Sequence, residues 1–189
     1  MAEATDIPAD PEGFLAWEFE QEERYERLNG VVRMMVGASL GHQALLLNLG
    51  TELRQRLRGS GCRTFPDGTR LLTPANDLLY PDTVVSCHQH RGDATHLTDA
   101  TLVGEVLSSS TAERDRGAKW ARYRTLPGLR HYLLLAQDRP YVEAFHWRGE
   151  WVFHPHEGPD ATIHLATWAI DLPLAALYED LPGPHNGGA

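Results

Sequence analysis

Hydrophobic positions in the first half of the chain change between helical and strand-like spacing. Glu12–Leu28 is charged and amphipathic and predicts a first helix, and the Asn29-Gly30 turn then leads into a strand at 31–36. Ser39 is a favourable N-cap for a second helix, whose apolar stripe repeats at helical spacing as far as Gly59. Strand-like runs follow at 62–65, 69–72, 78–86 and 102–107.

The second half of the chain predicts one more long helix, followed mainly by strands. Ser110 and Glu113 have the spacing of a capping box, and Leu126-Pro127-Gly128 ends the helix that this box would begin. Further strands and a short closing helix at 174–178 come after it. The order predicts an α/β protein of the mixed α+β kind, in which helices flank a mixed sheet with extra C-terminal strands.

Length and composition favour a single soluble domain. A chain of 189 residues, 42% of them apolar, can bury a sizeable core, and no repeat or low-complexity linker divides it. We predict a flexible N-terminus at 1–10, one domain at 11–180 and a flexible tail at 181–189. The acidic N-terminus lacks the apolar region of a secretory signal. No stretch approaches the ~20 apolar residues of a membrane span, so we expect a cytoplasmic protein.

The cysteine content, the net charge and the distribution of charged residues bear on the function of the chain. Cys62 and Cys87 are the two cysteines, and without a secretory signal we expect reduced thiols rather than a disulfide. The net charge of −9 argues against a broad basic surface of the kind that binds DNA. Two locally basic segments, 52–70 and 111–130, fit either a cleft that faces phosphate groups or ordinary solvated surfaces.

Asp82 and Glu105 are acidic residues within apolar, strand-like runs. Pro81 disfavours a regular central strand, and a bulge there could direct Asp82 out of the sheet. A lone buried carboxylate is costly unless it is paired or bound to a metal ion. Each acid alone is more typical of an exposed strand face. Two of them near a basic helix favour a hard divalent cation such as Mg²⁺.

These two acids belong to an ordered set of motifs between about residues 20 and 155. The chain resembles the PD-(D/E)XK nuclease superfamily and, within it, the bacterial Uma-two family of restriction-endonuclease-like proteins. The resemblance rests on these motifs, in chain order: Tyr25-Glu26-Arg27-Leu28-Asn29-Gly30, Ser39 to Gln43 with His42, Tyr80-Pro81-Asp82, Glu105-Val106-Leu107-Ser108, Ser110-Thr111, and the set Asp115, Lys119 and Tyr123. Each motif alone is weak, whereas their order and spacing together are specific.

The resemblance implies a restriction-endonuclease-like core and a metal-dependent endonuclease that hydrolyses phosphodiester bonds, with DNA as the expected nucleic acid. Asp82, Glu105 and the backbone carbonyl of Val106 would hold Mg²⁺ or Mn²⁺, which would polarise the phosphodiester and activate a water molecule. A homodimer is expected because two sites cut both strands of a duplex most easily. No membrane partner is expected.

The resemblance also implies supporting catalytic residues. Glu26, expected on the first helix, matches an acidic residue that the superfamily often places beside the metal. His42, expected near the start of the second helix, matches a histidine near the site and could contact phosphate there. We therefore expect both side chains to converge on the cleft that holds Asp82.

Lys119 is the candidate catalytic lysine, because Leu107 occupies the position two residues after Glu105, where the superfamily usually carries a lysine. The chain has sixteen arginines and this single lysine. A lysine ammonium is compact and can exchange a proton with water, whereas arginine stays charged. Asp115, Lys119 and Tyr123 lie four residues apart and should share one helix face. An exposed Asp115–Lys119 ion pair is the alternative.

Two other functions stay open. A catalytically silent member of the same fold, acting as a nucleic-acid-binding or regulatory module, would agree with Leu107 and the acidic net charge. A zinc-dependent enzyme would instead use the pair His88 and His90 or the pair His154 and His156, because residues two apart on a strand share a face.

Overall fold

The computed structural model describes residues 7–181 and consists of a central sheet with smaller elements packed around it. The elements are, in chain order, α1 (Pro11–Phe19), β1 (Tyr25–Leu28), β2 (Val31–Met34), α2 (Leu40–Arg56), β3 (Arg63–Pro66), β4 (Leu71–Leu72), β5 (Leu78–Leu79), β6 (Thr83–Ser86), β7 (Leu102–Val106), α3 (Ala112–Arg114), the π-helical turn π1 (Asp115–Lys119), α4 (Trp120–Tyr123), β8 (His131–Leu135), β9 (Tyr141–Trp147), β10 (Trp151–Glu157), β11 (Thr162–Leu165), β12 (Ile170–Pro173) and α5 (Leu174–Leu177).

The strands form a mixed sheet of six strands and two smaller antiparallel sheets. The six-stranded sheet has the order β10-β9-β8-β7-β6-β3, in which β7 and β8 are parallel and the other neighbours are antiparallel. A four-stranded sheet has the order β2-β1-β5-β4, and β11 pairs with β12. Helices flank the mixed sheet, and extra strands follow it, so the predicted fold class is confirmed.

Each face of the six-stranded sheet is covered by its own hydrophobic core. On one face, α2, α5 and the β11–β12 hairpin pack against inward side chains such as Leu102 and Leu133. On the other face, α4 and part of the four-stranded sheet pack against their neighbours Val103 and Leu134. Alternate residues of β7 therefore point to different layers. The candidate site lies in the second layer, because Glu105 shares the face of Val103.

The predicted first helix is wrong beyond Phe19, where α1 ends. Residues Tyr25–Leu28 form β1, which pairs antiparallel with β2. Asn29 and Gly30 have φ values of 54° and 76°, as in the two-residue turns whose twist matches an antiparallel hairpin. The Asn-Gly turn and the pairing of β1 with β5 override the helical spacing of the preceding residues. Glu26 consequently lies on a strand and not on a helix.

The predicted strand at 78–86 is divided between two sheets. Leu78 and Leu79 form β5 in the four-stranded sheet, whereas Thr83–Ser86 form β6 in the six-stranded sheet. The chain passes from one sheet to the other at Tyr80-Pro81-Asp82. Proline cannot donate a hydrogen bond to a neighbouring strand, which favours a break at this point. Asp82 is thereby placed at the junction of the two sheets.

The helical segment Ala112–Tyr123 connects the parallel strands β7 and β8, as parallel neighbours require a crossover. The predicted capping box of Ser110 and Glu113 does not form. The helix begins after Thr111, which makes no side-chain capping hydrogen bond. Instead, Ser108 Oγ accepts the backbone N–H of Thr111 at 3.2 Å, so a serine turn begins the segment.

Gly104 lets helix α2 pack closely against β7. A Cβ atom at this position would lie 2.8 Å from Leu49 Cδ2, which is closer than two carbon atoms can approach. Leu49 of α2 fills the volume that a side chain at position 104 would occupy, so the glycine allows tight packing beneath the site.

The two cysteines form a disulfide, so the expected reduced thiols are wrong. Cys62 lies just before β3 and Cys87 just after β6, and the β3–β6 register pairs Arg63 with Ser86. The next residues outward are therefore directly opposite each other. This proximity follows from sheet register, which the composition of the chain does not reveal.

Parts of the predicted flexible ends, residues 1–6 and 182–189, lie outside the described residues. Within the described part of the N-terminal segment, the backbone carbonyls of Ala9 and Asp10 accept hydrogen bonds from the Arg27 guanidinium at 2.8 and 3.2 Å. The Asp10 side chain caps α1 by accepting the N–H of Gly13. Among the described helices, none combines the length and the apolar character needed to cross a membrane.

Two buried histidines connect the sheet to the loop between β11 and β12. His131 Nδ1 lies 2.8 Å from His146 Nδ1, and His131 Nε2 lies 2.8 Å from Thr167 Oγ1. Burial, followed by the charge of His146, lowers the pKa of His131 to about 3. Burial also lowers the pKa of His146 to about 4. Both imidazoles are neutral at neutral pH, which allows one Nδ1–H to donate to the other Nδ1.

We expect this histidine pair to reduce the free energy of unfolding as the pH falls from about 6.5 to about 3. Each pKa is lower in the folded than in the unfolded chain, so the unfolded chain binds more protons in this window. His131 contributes a slope of at most about 1.4 kcal/mol per pH unit. Urea unfolding at several pH values should therefore show a shallower pH dependence in His146→Gln than in the wild type. His88→Gln serves as the control, and equal slopes in all three proteins would contradict the assignment.

Candidate active site

Asp82 and Glu105 lie next to each other at the junction of the two sheets. Asp82 lies just before β6, and Glu105 lies on the neighbouring strand β7. Asp82 Oδ2 accepts the backbone N–H of Val106 at 2.6 Å, and the backbone nitrogen of Asp82 lies 3.4 Å from Glu105 Oε2. The structure therefore brings the two predicted metal-binding carboxylates into one small space.

Lys119 and Tyr123 contact the other oxygen of Glu105. Lys119 Nζ lies 3.2 Å from Glu105 Oε1, and the Tyr123 hydroxyl donates to the same oxygen at 2.8 Å. Asp115 Oδ1 lies 3.6 Å from Lys119 Nζ. All four side chains are buried. The shared helix face predicted for Asp115, Lys119 and Tyr123 is confirmed, and it points into the protein. The alternative of an exposed Asp115–Lys119 ion pair is wrong.

Glu26 reaches this cluster from β1. It is 2% exposed, and its Oε1 lies 2.8 Å from Lys119 Nζ and accepts the backbone N–H of Tyr80 at 3.1 Å. Its Oε2 lies 3.0 Å from Arg114 Nη2. The structure thus places Glu26 in the cleft that holds Asp82, as expected, and also beside Lys119. The element that carries it is a strand and not the predicted helix, because the Asn-Gly hairpin extends back to Tyr25.

His42 approaches from the first turn of α2. Ser39 caps this helix by accepting the N–H of His42 at 3.1 Å, as predicted. His42 Nε2 lies 3.1 Å from Asp82 Oδ1. Burial lowers the pKa of His42, but the hydrogen bond and the charge of Asp82 outweigh this effect and raise the pKa above its ordinary value. His42 therefore supports Asp82 from the side opposite to Val106.

A π-helical turn, π1, places Lys119 over Glu105. In this turn the hydrogen bonds connect residues five apart instead of four, a rare arrangement that is frequent at functional sites. Arg114 and Lys119, which are also five apart, both contact Glu26. The π-helical turn thus brings two cations to one carboxylate.

Two residues were missed by the sequence analysis as parts of the site. Arg114 lies in the basic segment 111–130. Its spacing of five residues to Lys119 does not place the two side chains on one face of an α-helix, so the sequence pattern did not connect them. Gln137 follows β8 and donates from Nε2 to the carbonyl of Leu107 at 2.7 Å, while its Oε1 accepts from Ser39 Oγ at 2.8 Å. No local sequence signal identifies Gln137, because its partners come from distant elements.

The cluster forms the floor of a cleft with a volume of about 1070 Å³. Its walls come from the β1–β2 hairpin, the start of α2, the loop after β7, the first turns of the helical segment and the loop after β8. The five predicted catalytic residues all line this cleft: Glu26, His42, Asp82, Glu105 and Lys119. Segments that are far apart in the sequence, including the β5–β6 junction with Tyr80 and Asp82, therefore meet at one site that is open to solvent.

Comparison with known families agrees with this architecture. Residues 11–175 match the model of the Uma2 family, which is described as "Putative restriction endonuclease". The chain belongs to the Uma2 family. Two proteins of Synechocystis sp., named "Uncharacterized protein slr1290" and "Uncharacterized protein sll1609", are 28% and 29% identical over 175 and 163 residues. The alignments cover 90% and 83% of this chain and 92% of each relative.

A solved structure has the same fold as this Uma2 chain. It is described as "a putative nuclease belonging to DUF820" from Anabaena variabilis, and it superposes with a TM-score of 0.70 at 16% sequence identity. The match covers 90% of this chain and 98% of that one. The family description and the nuclease-like fold together support a nuclease at a coarse level.

Burial and the neighbouring charges set the protonation of Glu105 in this Uma2 site. Burial raises the pKa of Glu105 well above its usual range, and the Lys119 ammonium opposes this shift. The carboxylates of Asp115, Asp82 and Glu26 raise the pKa further. Negative charge at the floor of the cleft therefore exceeds what Lys119 alone compensates.

Lys119 stays protonated in these surroundings. Burial lowers the pKa of Lys119, but the charges of Glu105, Glu26 and Asp115 outweigh it and raise the pKa above the ordinary range. The expected exchange of a proton between Lys119 and water does not agree with this arrangement. A fixed ammonium that donates hydrogen bonds does agree with it.

The donor set of the Uma2 site fits a hard divalent cation. Mg²⁺ commonly binds through one or two carboxylates and keeps several water molecules. Asp82 and Glu105 supply two carboxylates, and the buried oxygen Asp115 Oδ1 has no hydrogen-bond partner in the structure. Within residues 7–181, no group of three or more His, Cys, Asp or Glu side chains is arranged to hold a metal ion by protein ligands alone. Val106 contributes its N–H to Asp82, and a ligand role for its carbonyl stays a prediction.

We predict that Lys119→Met lowers the free energy of unfolding by about 3–5 kcal/mol, because it leaves Glu105 buried without its cation and Glu26 with Arg114 as its remaining cation. An exposed ion pair would contribute only ~0.3–0.5 kcal/mol. Urea unfolding measures the change. In the double variant Lys119→Met/Glu105→Gln the total loss should be smaller than the sum of the single losses, as expected for groups in direct contact. Additive losses would show that the two residues do not interact.

Proposed function

We propose that this protein is a Mg²⁺- or Mn²⁺-dependent endonuclease that hydrolyses phosphodiester bonds in DNA. The observation that carries the proposal is the buried contact of Asp82, Glu105 and Lys119 at the floor of an open cleft. Its support is membership in a family described as "Putative restriction endonuclease" and the nuclease-like fold. The open cleft leaves room for an extended polymer, whereas the pockets of small ligands typically enclose most of the ligand surface.

Asp82 and Glu105 are the residues that we propose hold the divalent ion, with Val106 as a further oxygen donor. The ion would supply Lewis-acid polarisation of the scissile phosphate and stabilise its developing negative charge. Glu105 Oε1 is held by Lys119 and Tyr123, and Oε2 faces the backbone of Asp82. Fixing one oxygen in this way directs the other oxygen of Glu105 towards the position shared with Asp82.

Lys119 and His42 act by charge and orientation in this proposal. The Lys119 ammonium compensates Glu26 and Glu105 and can donate a hydrogen bond to a water molecule or a phosphate oxygen. His42 fixes Asp82 Oδ1 and lies where the N-terminus of α2 meets the cleft. The exposed backbone dipole of that helix end favours a phosphate group nearby.

Arginine side chains on the cleft walls offer contacts to a nucleic-acid backbone. Arg24, Arg33 and Arg116 are exposed and line the cleft. Arg116 is bidentate to Glu143, which holds its guanidinium in place. Glu22, Glu23, Asp67 and Asp138 also line the cleft, so these arginines are individual contact points in acidic surroundings. We also propose a homodimer, because two copies of the site would cut both strands of a duplex.

The test is cleavage of supercoiled plasmid DNA with and without Mg²⁺ or Mn²⁺. We expect the wild type to nick or linearise the plasmid only with the metal ion. Asp82→Asn and Glu105→Gln should each lower the rate at least about 100-fold, because substitution of residues that merely support metal ligands already costs up to that factor. Asp93→Asn, which changes an exposed carboxylate paired with Arg91, is the matched control.

A catalytically silent binding module of the same fold is the second candidate. It is favoured by Lys119, whose ammonium is already surrounded by three carboxylates, and by Leu107 at the usual lysine position. Such a module would bind DNA in a mobility-shift assay, yet plasmid cleavage would be absent or identical in wild type and both variants. That result would overturn the endonuclease proposal.

A further inference from the structure

The outer strand of the six-stranded sheet carries two histidines whose ring nitrogens face each other. His154 and His156 lie two residues apart on β10, so their side chains share one face of the strand. His154 Nδ1 lies 3.1 Å from His156 Nε2, and the ring centroids are 4.6 Å apart. The β9–β10 register places Ala144 opposite His154 and Val142 opposite His156. This face is the one opposite to Glu105 and Glu143.

The separation of the two nitrogens suits a shared transition-metal ion. Two imidazole nitrogens at roughly 2.0–2.1 Å from one tetrahedral Zn²⁺ lie about 3.3–3.4 Å from each other. The observed 3.1 Å between Nδ1 of His154 and Nε2 of His156 is close to that separation. Little side-chain movement is therefore required for both nitrogens to bind one ion.

The other pair with the same spacing lacks this geometry. His88 Nδ1 lies 2.9 Å from Asp99 Oδ2, and His90 Nε2 lies 2.8 Å from Ser86 Oγ. His90 Nε2 also lies 3.4 Å from Asp99 Oδ1. Both imidazoles are therefore directed at the Asp99 carboxylate, and His90 also at the Ser86 hydroxyl group. The chain therefore contains one pair arranged for joint binding and a second pair that serves as an internal control.

We propose that His154 and His156 form a binding site for a borderline transition-metal ion, with Zn²⁺ as the probe and Ni²⁺ or Cu²⁺ as further members of the class. Imidazole ligands select these ions over Mg²⁺, so the site differs chemically from the carboxylate cleft. Two protein ligands leave the remaining positions to water or to a donor group from a bound molecule.

The experiment is titration of the full chain with ZnCl₂, with its disulfide intact and without thiol reductants, in the presence of excess Mg²⁺. Calorimetry should show one Zn²⁺ per chain, and the melting temperature should rise with the Zn²⁺ concentration, since a ligand of the folded state stabilises it. His154→Gln and His156→Gln should each weaken binding at least tenfold. The double variant His88→Gln/His90→Gln and the variant Asp82→Asn should bind as the wild type does.

Co²⁺ provides a spectroscopic readout of the same site. Visible absorption of the bound Co²⁺ should be lost in His154→Gln and retained in His88→Gln/His90→Gln. Zn²⁺ binding that is unchanged by His154→Gln and His156→Gln, or lost in Asp82→Asn, would place the ion elsewhere and overturn the proposal. Absence of binding would also overturn it. Plasmid cleavage is measured separately, so failure of this proposal leaves the endonuclease proposal unaffected.

Discussion

The structure of the cleft depends on one buried ammonium group. Lys119 lies 2.8 Å from Glu26 and 3.2 Å from Glu105, and all three side chains are at least 95% buried. Removing such charges from water costs several kcal/mol for each ion, and they are tolerated only when they compensate one another. The strands β1 and β7 and the helical segment must therefore meet in one arrangement. The charge balance thereby determines how the four-stranded and six-stranded sheets are joined.

Backbone features of the two sheets make this meeting possible. The chain changes sheet at Tyr80-Pro81-Asp82, so one short stretch both contacts Glu26 and presents Asp82. Gly104 allows Leu49 to approach β7, which brings α2, with His42 at its start, close to the same junction. The arrangement of the side chains in the candidate site therefore depends on packing on both faces of the six-stranded sheet.

The sequence predicts those parts of the fold that depend on short-range patterns. The α2 helix with its Ser39 cap and the break at Pro81-Asp82 are both local, and both are found. Glu26 was assigned to a helix because the charged stretch before Asn29 has helical spacing, and only the pairing of β1 with its neighbours makes it a strand. The Cys62–Cys87 disulfide likewise follows from strand register. Such features depend on contacts between residues far apart in the sequence. A single sequence does not reveal which distant strands pair.

Candidate residues of the site were predictable for a different reason. Asp82 and Glu105 stand out because an acid within an apolar run requires a partner. Glu26 and His42 were found through the resemblance to a family, and Lys119 through that resemblance and as the single lysine. Arg114 does not stand out, since it is one arginine among sixteen and its spacing to Lys119 belongs to a π-helical turn. Identification was thus possible where residue type conflicts with its surroundings, and it failed where only three-dimensional geometry distinguishes a residue from its neighbours.

The single lysine of this chain has a consequence for its covalent chemistry. The other side-chain cations of the Lys/Arg class are guanidinium groups, which do not react with acyl donors or amine-directed cross-linkers under ordinary conditions. Lys119 is 4% exposed and held as an ammonium by its carboxylate neighbours, so it is neither accessible nor nucleophilic in the folded protein. Acylation of the Lys119 side chain therefore requires the charged cluster to open. The surface of the folded protein offers no lysine side chain to an acylating reagent.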